Sequence, residues 1–218
     1  MNEALEVWRA GPEDVGEIVD ILSEAARWLS ARGIDQWPDP FPRERVAALV
    51  RRGGFHLARL NGQTVGTLAL LWSDATFWGA RPEDAGYVHA LAVRRAWAGR
   101  GLGSQLLAWA GEQVAVADRE YLRLDCRAEN RALRRYYERH GFEQRGEVAV
   151  DEFTSALYER RCARPGARRE GRRSAGPGVD ESARFRPIDV TGTQGLRRYA
   201  RSGSEGGLPP HPGGRGCG

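Results

Sequence analysis

The sequence predicts an α/β domain over residues 1–162, a mixed and mostly antiparallel sheet flanked by helices, followed by a disordered tail over residues 163–218. Three observations carry this. Strand-like and helix-like patterns follow one another in the order β-α-α-β-β-β-α-β-α-β-β. The runs 87–93 and 121–126 are separated by a helical repeat, which makes them a parallel pair, whereas the first four strands can be antiparallel neighbours. After Ala163 the periodicity stops and Gly, Arg, Pro and Ser dominate. A segment with so few large apolar residues does not bury enough to offset its ordering entropy.

Leu5-Glu6-Val7-Trp8-Arg9 alternates as a first strand. Gly11-Pro12-Glu13-Asp14 opens a helix, with Pro and the acids suited to its first turn. Val15, Ile18, Val19, Leu22, Ala25, Ala26 and Leu29 form its apolar face, and Gly33 ends it. Residues 34–42 hold three prolines and are irregular. Pro42-Arg43-Glu44 restarts a shorter helix through Val50. Phe55–Leu60 and Thr64–Trp72 flank Asn61-Gly62, a strong hairpin signal. Asp74–Asp84 reads as a loop. Tyr87–Val93 is a buried strand, and Leu102, Leu106, Leu107 and Ala110 recur at helical spacing. Tyr121–Cys126 alternates as a strand. Asn130–His140 is helical and stops at Gly141, while Phe142–Val148 and Phe153–Arg160 close the domain as strands.

Charge is uneven. The whole chain carries a formal +4 and a pI near 9.3. Residues 163–218 hold 11 Arg against 5 acidic residues, a net of +6, which leaves about −2 for residues 1–162. Basicity therefore belongs to the tail, and a nucleic-acid partner is not favoured. No apolar run is long enough to span a membrane. The acidic N-terminus lacks a leader pattern, and three unpaired cysteines fit a reducing compartment, so a cytoplasmic protein is expected. The scattered histidines make no metal motif.

The stretch 87–110 is strand, glycine loop and helix in that order. The first N–H groups of a helix have no intrahelical partner, the helix dipole favours negative charge there, and glycines let backbone come close to a phosphate. Arg94, Arg95 and Arg100 add cations. The alternative is a tight turn between two core elements. A P-loop is excluded, since the chain contains no lysine, and GxGxxG is absent.

Residues 126–142 read CRAENRALRRYYERHGF, with Asn130, Leu133, Tyr137, Gly141 and Phe142 at N-x-x-L-x-x-x-Y-x-x-x-G-F. Together with the glycine loop, this resembles the GCN5-related N-acetyltransferase (GNAT) superfamily over roughly residues 4–161. The family's R/Q-x-x-G-x-G/A position falls on Ala98, a departure that removes a side-chain contact but keeps a backbone N–H. The resemblance implies a GNAT-like sheet and acetyl-CoA-dependent transfer to a primary amine, that of a small amine, an antibiotic, an amino acid or a protein N-terminus; a monomer or homodimer is expected. The alternative is a non-catalytic acyl-CoA-binding sensor module.

It further implies that backbone N–H groups of Ala98, Gly99, Arg100, Gly101, Gly103 and Ser104 hold a pyrophosphate. Leu91, Ala92 and Val93 pair with the pantetheine amides, and Asn130 contacts the coenzyme arm or caps its own helix. The chemistry needs a neutral amine, oxyanion donors and an acid for the departing thiolate. Tyr137 matches the acid position, with Tyr136 expected to be a packing residue. His89, alternating with Tyr87, Leu91 and Val93, and Asp125 on the neighbouring strand are the candidate bases. Trp28, Trp37, Asp74, Trp78 and Asp84 are expected around the acceptor, suited to a cationic, partly apolar amine.

Overall fold

The computed structural model describes residues 5–162; the expectation of a disordered tail falls outside the described residues. The elements are β1 (Glu6–Arg9), α1 (Val15–Ser30), α2 (Arg43–Arg51), β2 (Phe55–Leu60), β3 (Gln63–Leu71), α3 (Ala75–Trp78), β4 (Ala85–Val93), α4 (Leu102–Val116), β5 (Tyr121–Arg127), α5 (Arg131–Arg139), β6 (Glu143–Val150) and β7 (Phe153–Arg161). They build one seven-stranded sheet in the order β1-β2-β3-β4-β5-β7-β6. Only β4 and β5 are parallel, joined through α4 as a parallel pair requires.

Strand alternation sends neighbouring side chains to opposite faces. On one face Leu68, Val88 and Leu124 meet Leu106, Leu107 and Tyr137 of α4 and α5. On the other, Phe55, Leu57 and Ala69 meet Ile18, Leu22 and Val46 of α1 and α2. A third cluster joins Phe77 and Trp78 to Tyr87 and Leu157. Each fully buried aliphatic side chain contributes about 1.5–3 kcal/mol.

The fold departs from the expectation in two local ways. The 74–84 segment contains a short helix, α3, because the Asp74 carboxylate accepts from the Phe77 N–H (3.3 Å) and so caps it, while Phe77 and Trp78 bury their rings. Strand β4 begins at Ala85, where Gly86 lets α4 lie close: a Cβ there would stand 2.5 Å from Val114 Cγ2.

The feature that positions the site is a bulge in β4. Thr67 pairs with Ala92 and Ala69 with His89, so Ala90 and Leu91 together oppose Leu68. Ala90 takes φ +48, a left-handed conformation uncommon for a residue with a Cβ. Strict alternation therefore fails. Tyr87 and His89 share a face, as expected, but Leu91 and Val93 are turned to the α4 side. The β4–β5 ladder runs from Ala85↔Tyr121 to Val88↔Leu124 and goes no further. Beyond it the strands part and leave a cleft.

Below the cleft Arg123, almost wholly buried, donates to Glu159 (2.7 Å), Asp84 (2.9 Å) and the Tyr87 hydroxyl (3.0 Å). Asp84 is thus a structural anion rather than the expected acceptor contact. Removing one partner of a buried pair strands the other charge. Arg123→Met should lower the unfolding free energy by about 3 kcal/mol, read from urea melts; an unchanged midpoint would show that the network is stabilising nothing.

Candidate active site

The cleft opens into a cavity of about 870 Å³ whose wall includes Trp28, Trp37, Leu91, His89, Asp125, Asn130, Tyr136 and Tyr137. One end is the loop from β4 to α4. Gly99 and Gly101 take φ +79 and +74, and a Cβ on either would project into open space. These are conformations that glycine adopts without strain. Gly101 is the N-cap of α4 and offers no side-chain cap. The Ser104 N–H donates to the Gly101 carbonyl (3.1 Å) and the Ala98 N–H to that of Arg95 (3.2 Å). Both are therefore spent, and the cradle is narrower than expected: residues 99–103. At Gly103 a Cβ would meet the Tyr136 hydroxyl at 2.8 Å, so this glycine lets α4 approach α5.

The cations beside the loop divide. Arg94 is held by Glu17 (3.2 Å) and the Thr64 carbonyl (3.1 Å), which removes it from the candidates for a phosphate contact. Arg95 lies 3.9 Å over the Trp28 ring, and Arg100 lies 4.6 Å over Trp97. Trp28 is therefore tied to the loop end of the cavity. Helix α4 is fastened to the C-terminal end of α5 behind the cradle by Ser104 Oγ and His140 Nε2, 2.7 Å apart, and that imidazole is held on α5 by its Nδ1, 2.7 Å from the Tyr136 carbonyl oxygen.

Where β4 and β5 part, three side chains converge. His89 Nε2 stands 3.2 Å from Asp74 Oδ2, and Nδ1 stands 3.8 Å from Asp125 Oδ1. The first pair is close enough for charge attraction but is not aligned as a hydrogen bond, and both atoms are shut off from solvent. Asp74, expected around the acceptor, lies deep beside His89, because capping α3 draws it inward. Ser155 on β7 donates to Asp125 Oδ2 (2.9 Å) and fixes that carboxylate. Sequence carries no signal for this long-range partner.

Burial alone would lower the His89 pKa, but the Asp74 charge, with Asp125 behind it, carries it above 6.5. Burial pushes Asp125 up to about 6, with the imidazole opposing. The carboxylates face different ring nitrogens, an arrangement that favours a proton on the imidazole and is poorly suited to one metal ion, which could take only one of those nitrogens.

Tyr137 lines the cavity from the α5 side, nearly buried. Burial, then the nearby Cys126 and Asp125, hold its phenol well above the ordinary tyrosine range, so it stays protonated. Tyr136, expected only to pack, also lines the cavity, with its hydroxyl 3.4 Å from Ser104 Oγ. Burial pushes the Cys126 thiol up to about 12, which leaves it no thiolate nucleophile. Asn130 Oδ1 accepts from the Leu133 N–H (3.1 Å), the helix-cap role, and its Nδ2 donates to Gln36 (3.4 Å). Trp37 sits in the wall, edge-on to Phe41. Trp78 packs on Tyr87 instead, outside the cavity lining, because α3 turns it into the core.

The comparisons identify the family and the fold. A model of the acetyltransferase (GNAT) family matches residues 18–142. An uncharacterized N-acetyltransferase, YesJ of Bacillus subtilis, is 32% identical over 143 residues, covering 62% of this chain and 79% of that protein. A GNAT-family acetyltransferase from Listeria monocytogenes superimposes with a TM-score of 0.63 at 27% identity, over 73% of this chain and 99% of that one. The PaiA N-acetyltransferase of Thermoplasma acidophilum, solved with coenzyme A, shares the fold at a TM-score of 0.56 and 16% identity, over 72% and 99% of the two chains. Among the described residues, no helix is long and apolar enough to cross a membrane. The chain belongs to the GNAT family and is an N-acetyltransferase.

Proposed function

We propose that the cleft carries acetyl-CoA, and that the protein N-acetylates a primary amine admitted from the side of α1 and α2. The cofactor fits the chain's own features: unspent N–H groups at the start of α4, glycines at +79 and +74 that clear the approach, and a stretch of β4 from His89 onward without a β5 partner. Bound there, acetyl-CoA supplies an acyl group activated as a thioester.

The chain supplies the rest. Backbone amides of residues 99–103 hold the pyrophosphate, and the open edge at Leu91–Val93 accepts the pantetheine arm. Asn130, already a helix cap, steadies the wall beside that arm. His89 carries the proton chemistry. Its Nε2 is turned to the buried Asp74, which favours the proton on that nitrogen and leaves Nδ1 to take one from the incoming ammonium. Asp125, beside Nδ1, holds the cationic amine until then. The Tyr137 phenol, protonated throughout, donates a hydrogen bond to the departing sulfur. The single observation that carries this reading is the Asp74–His89–Asp125 cluster at the point where the strands part; a sensor without turnover has no use for it.

The test is thiol release from acetyl-CoA by the full-length chain with a panel of primary amines. Release that requires both components is expected, and its absence with every amine would sink the reading. In the same assay kcat/KM should rise with pH through a group titrating above 6.5, because the protonated imidazole is no base. Asp74→Asn, which keeps a good helix cap, should move that midpoint down by removing the charge that raises it. A pH profile indifferent to Asp74→Asn would detach His89 from the reaction.

A further inference from the structure

The far wall of the cavity carries a cation that the reaction scheme does not use. Along β5, residues 121, 123, 125 and 127 share a face. Arg123 is consumed by Asp84, Glu159 and Tyr87, and Asp125 faces His89. Arg127 comes next, two residues beyond Asp125 and so about 7 Å along the strand. It lines the same cavity, partly buried. Its guanidinium lies 3.9 Å over the Phe153 ring, and no carboxylate among the described residues pairs with it. Glu152, exposed at the rim, does not reach it. Phe153 is on β7, two residues before Ser155, which pairs in register with Arg127. The ring thus braces the guanidinium from the neighbouring strand. Leu124 and Cys126, which alternate with these residues, face α4, whose start is the cradle, so Asp125 and Arg127 are turned to the opposite face, with Phe153.

We propose that the acceptor is a zwitterion, a primary amine with a carboxylate or phosphonate two to four bonds away, whose anion is held by Arg127 while its ammonium sits between Asp125 and His89. The proposal rests on the acetyl-transfer reading above. It refines the expected cationic amine by adding an anionic handle. A planar, permanently charged fork suits a carboxylate or phosphonate, and a partly desolvated one rejects a neutral group in its stead. The roughly 7 Å between the two anchors sets the length.

The experiment compares 3-aminopropionate and 2-aminoethylphosphonate with 3-aminopropanol and propylamine in the thiol-release assay on the full chain, with acetyl-CoA binding followed separately by calorimetry. At least one acid should exceed the neutral amines in kcat/KM by about 10-fold or more, and the two acids distinguish carboxylate from phosphonate. Arg127→Gln should collapse the acid-to-neutral ratio to about one, mainly through KM, with an unchanged melting temperature. Arg127→Lys should keep part of the ratio, because the charge remains. Neutral amines that match the acids, or a ratio unmoved in Arg127→Gln, would overturn the proposal and leave acetyl transfer standing. Acetyl-CoA binding without release by any of the four would overturn it too. Absence of acetyl-CoA binding would instead remove the reading beneath it.

Discussion

His89→Gln lowers kcat/KM for the amine by about 100- to 1,000-fold at neutral pH and leaves acetyl-CoA affinity within a few-fold of the parent; that is the expected result, and it follows from protonation. An amine arrives charged, and a charged amine has no lone pair to attack with. The imidazole faces two carboxylates that make it a better proton acceptor than a free histidine, and Gln fills similar space without accepting a proton there. The deficit should shrink as pH approaches the acceptor's own pKa, since free amine then needs no base. A deficit constant with pH would make His89 a positioning group instead.

Stability should move the other way. A raised His89 pKa stabilises the fold below about 6.5, and that contribution is lost as pH rises through the folded-state value. Asp125, pushed up to about 6 from near 4, adds a burial cost that develops between those two values, below the His89 window. The site's own contribution to stability therefore falls from about pH 4 upward, through the raised folded-state value of His89, while activity climbs. The difference in unfolding free energy between the parent and His89→Gln, followed against pH, reads this directly.

What could be foreseen was local. Asn61 and Gly62, at φ +55 and +72, form the tight hairpin turn that their side chains favour. The glycines at 99 and 101 adopt the left-handed angles for which glycine is the usual choice, and Asn130 caps its helix. What escaped was set by register and long-range contact. Nothing about Ala90 announces a positive φ; the bulge exists because β3 and β4 pair on both sides of one extra residue. That single residue reverses the faces of Leu91 and Val93 and ends the β4–β5 ladder where His89 and Asp125 stand. Asp74 and Asp84 look alike as loop acids. One is drawn under His89 by capping α3, and the other is captured by Arg123 from the far side of the sheet. The alternation Asp125-x-Arg127 was visible, but the empty place beside Arg127 was not, because Arg123 in the same pattern is fully paired.

Gly101→Asp should weaken acetyl-CoA binding by about 100-fold or more, some 2.7 kcal/mol. Two effects are superposed in that substitution and can be separated. The backbone at 101 has φ +74, which any residue with a Cβ tolerates poorly, and the added Cβ projects into the open space in front of the cradle. Asn is nearly isosteric with Asp and adopts left-handed angles about as readily, so Gly101→Asn carries the same strain without the charge. The expected loss for Asn is about 10-fold or less, and the two variants should melt together. The gap between them is then the repulsion between one carboxylate and the phosphates, which like-charge juxtaposition makes several kcal/mol when desolvated and salt weakens when it is not. Calorimetry at two ionic strengths therefore reports where the phosphates sit. Equal affinities for Asp and Asn would mean that the amides of residues 99–103 face no anion, and the cofactor would have to be moved elsewhere along the cleft.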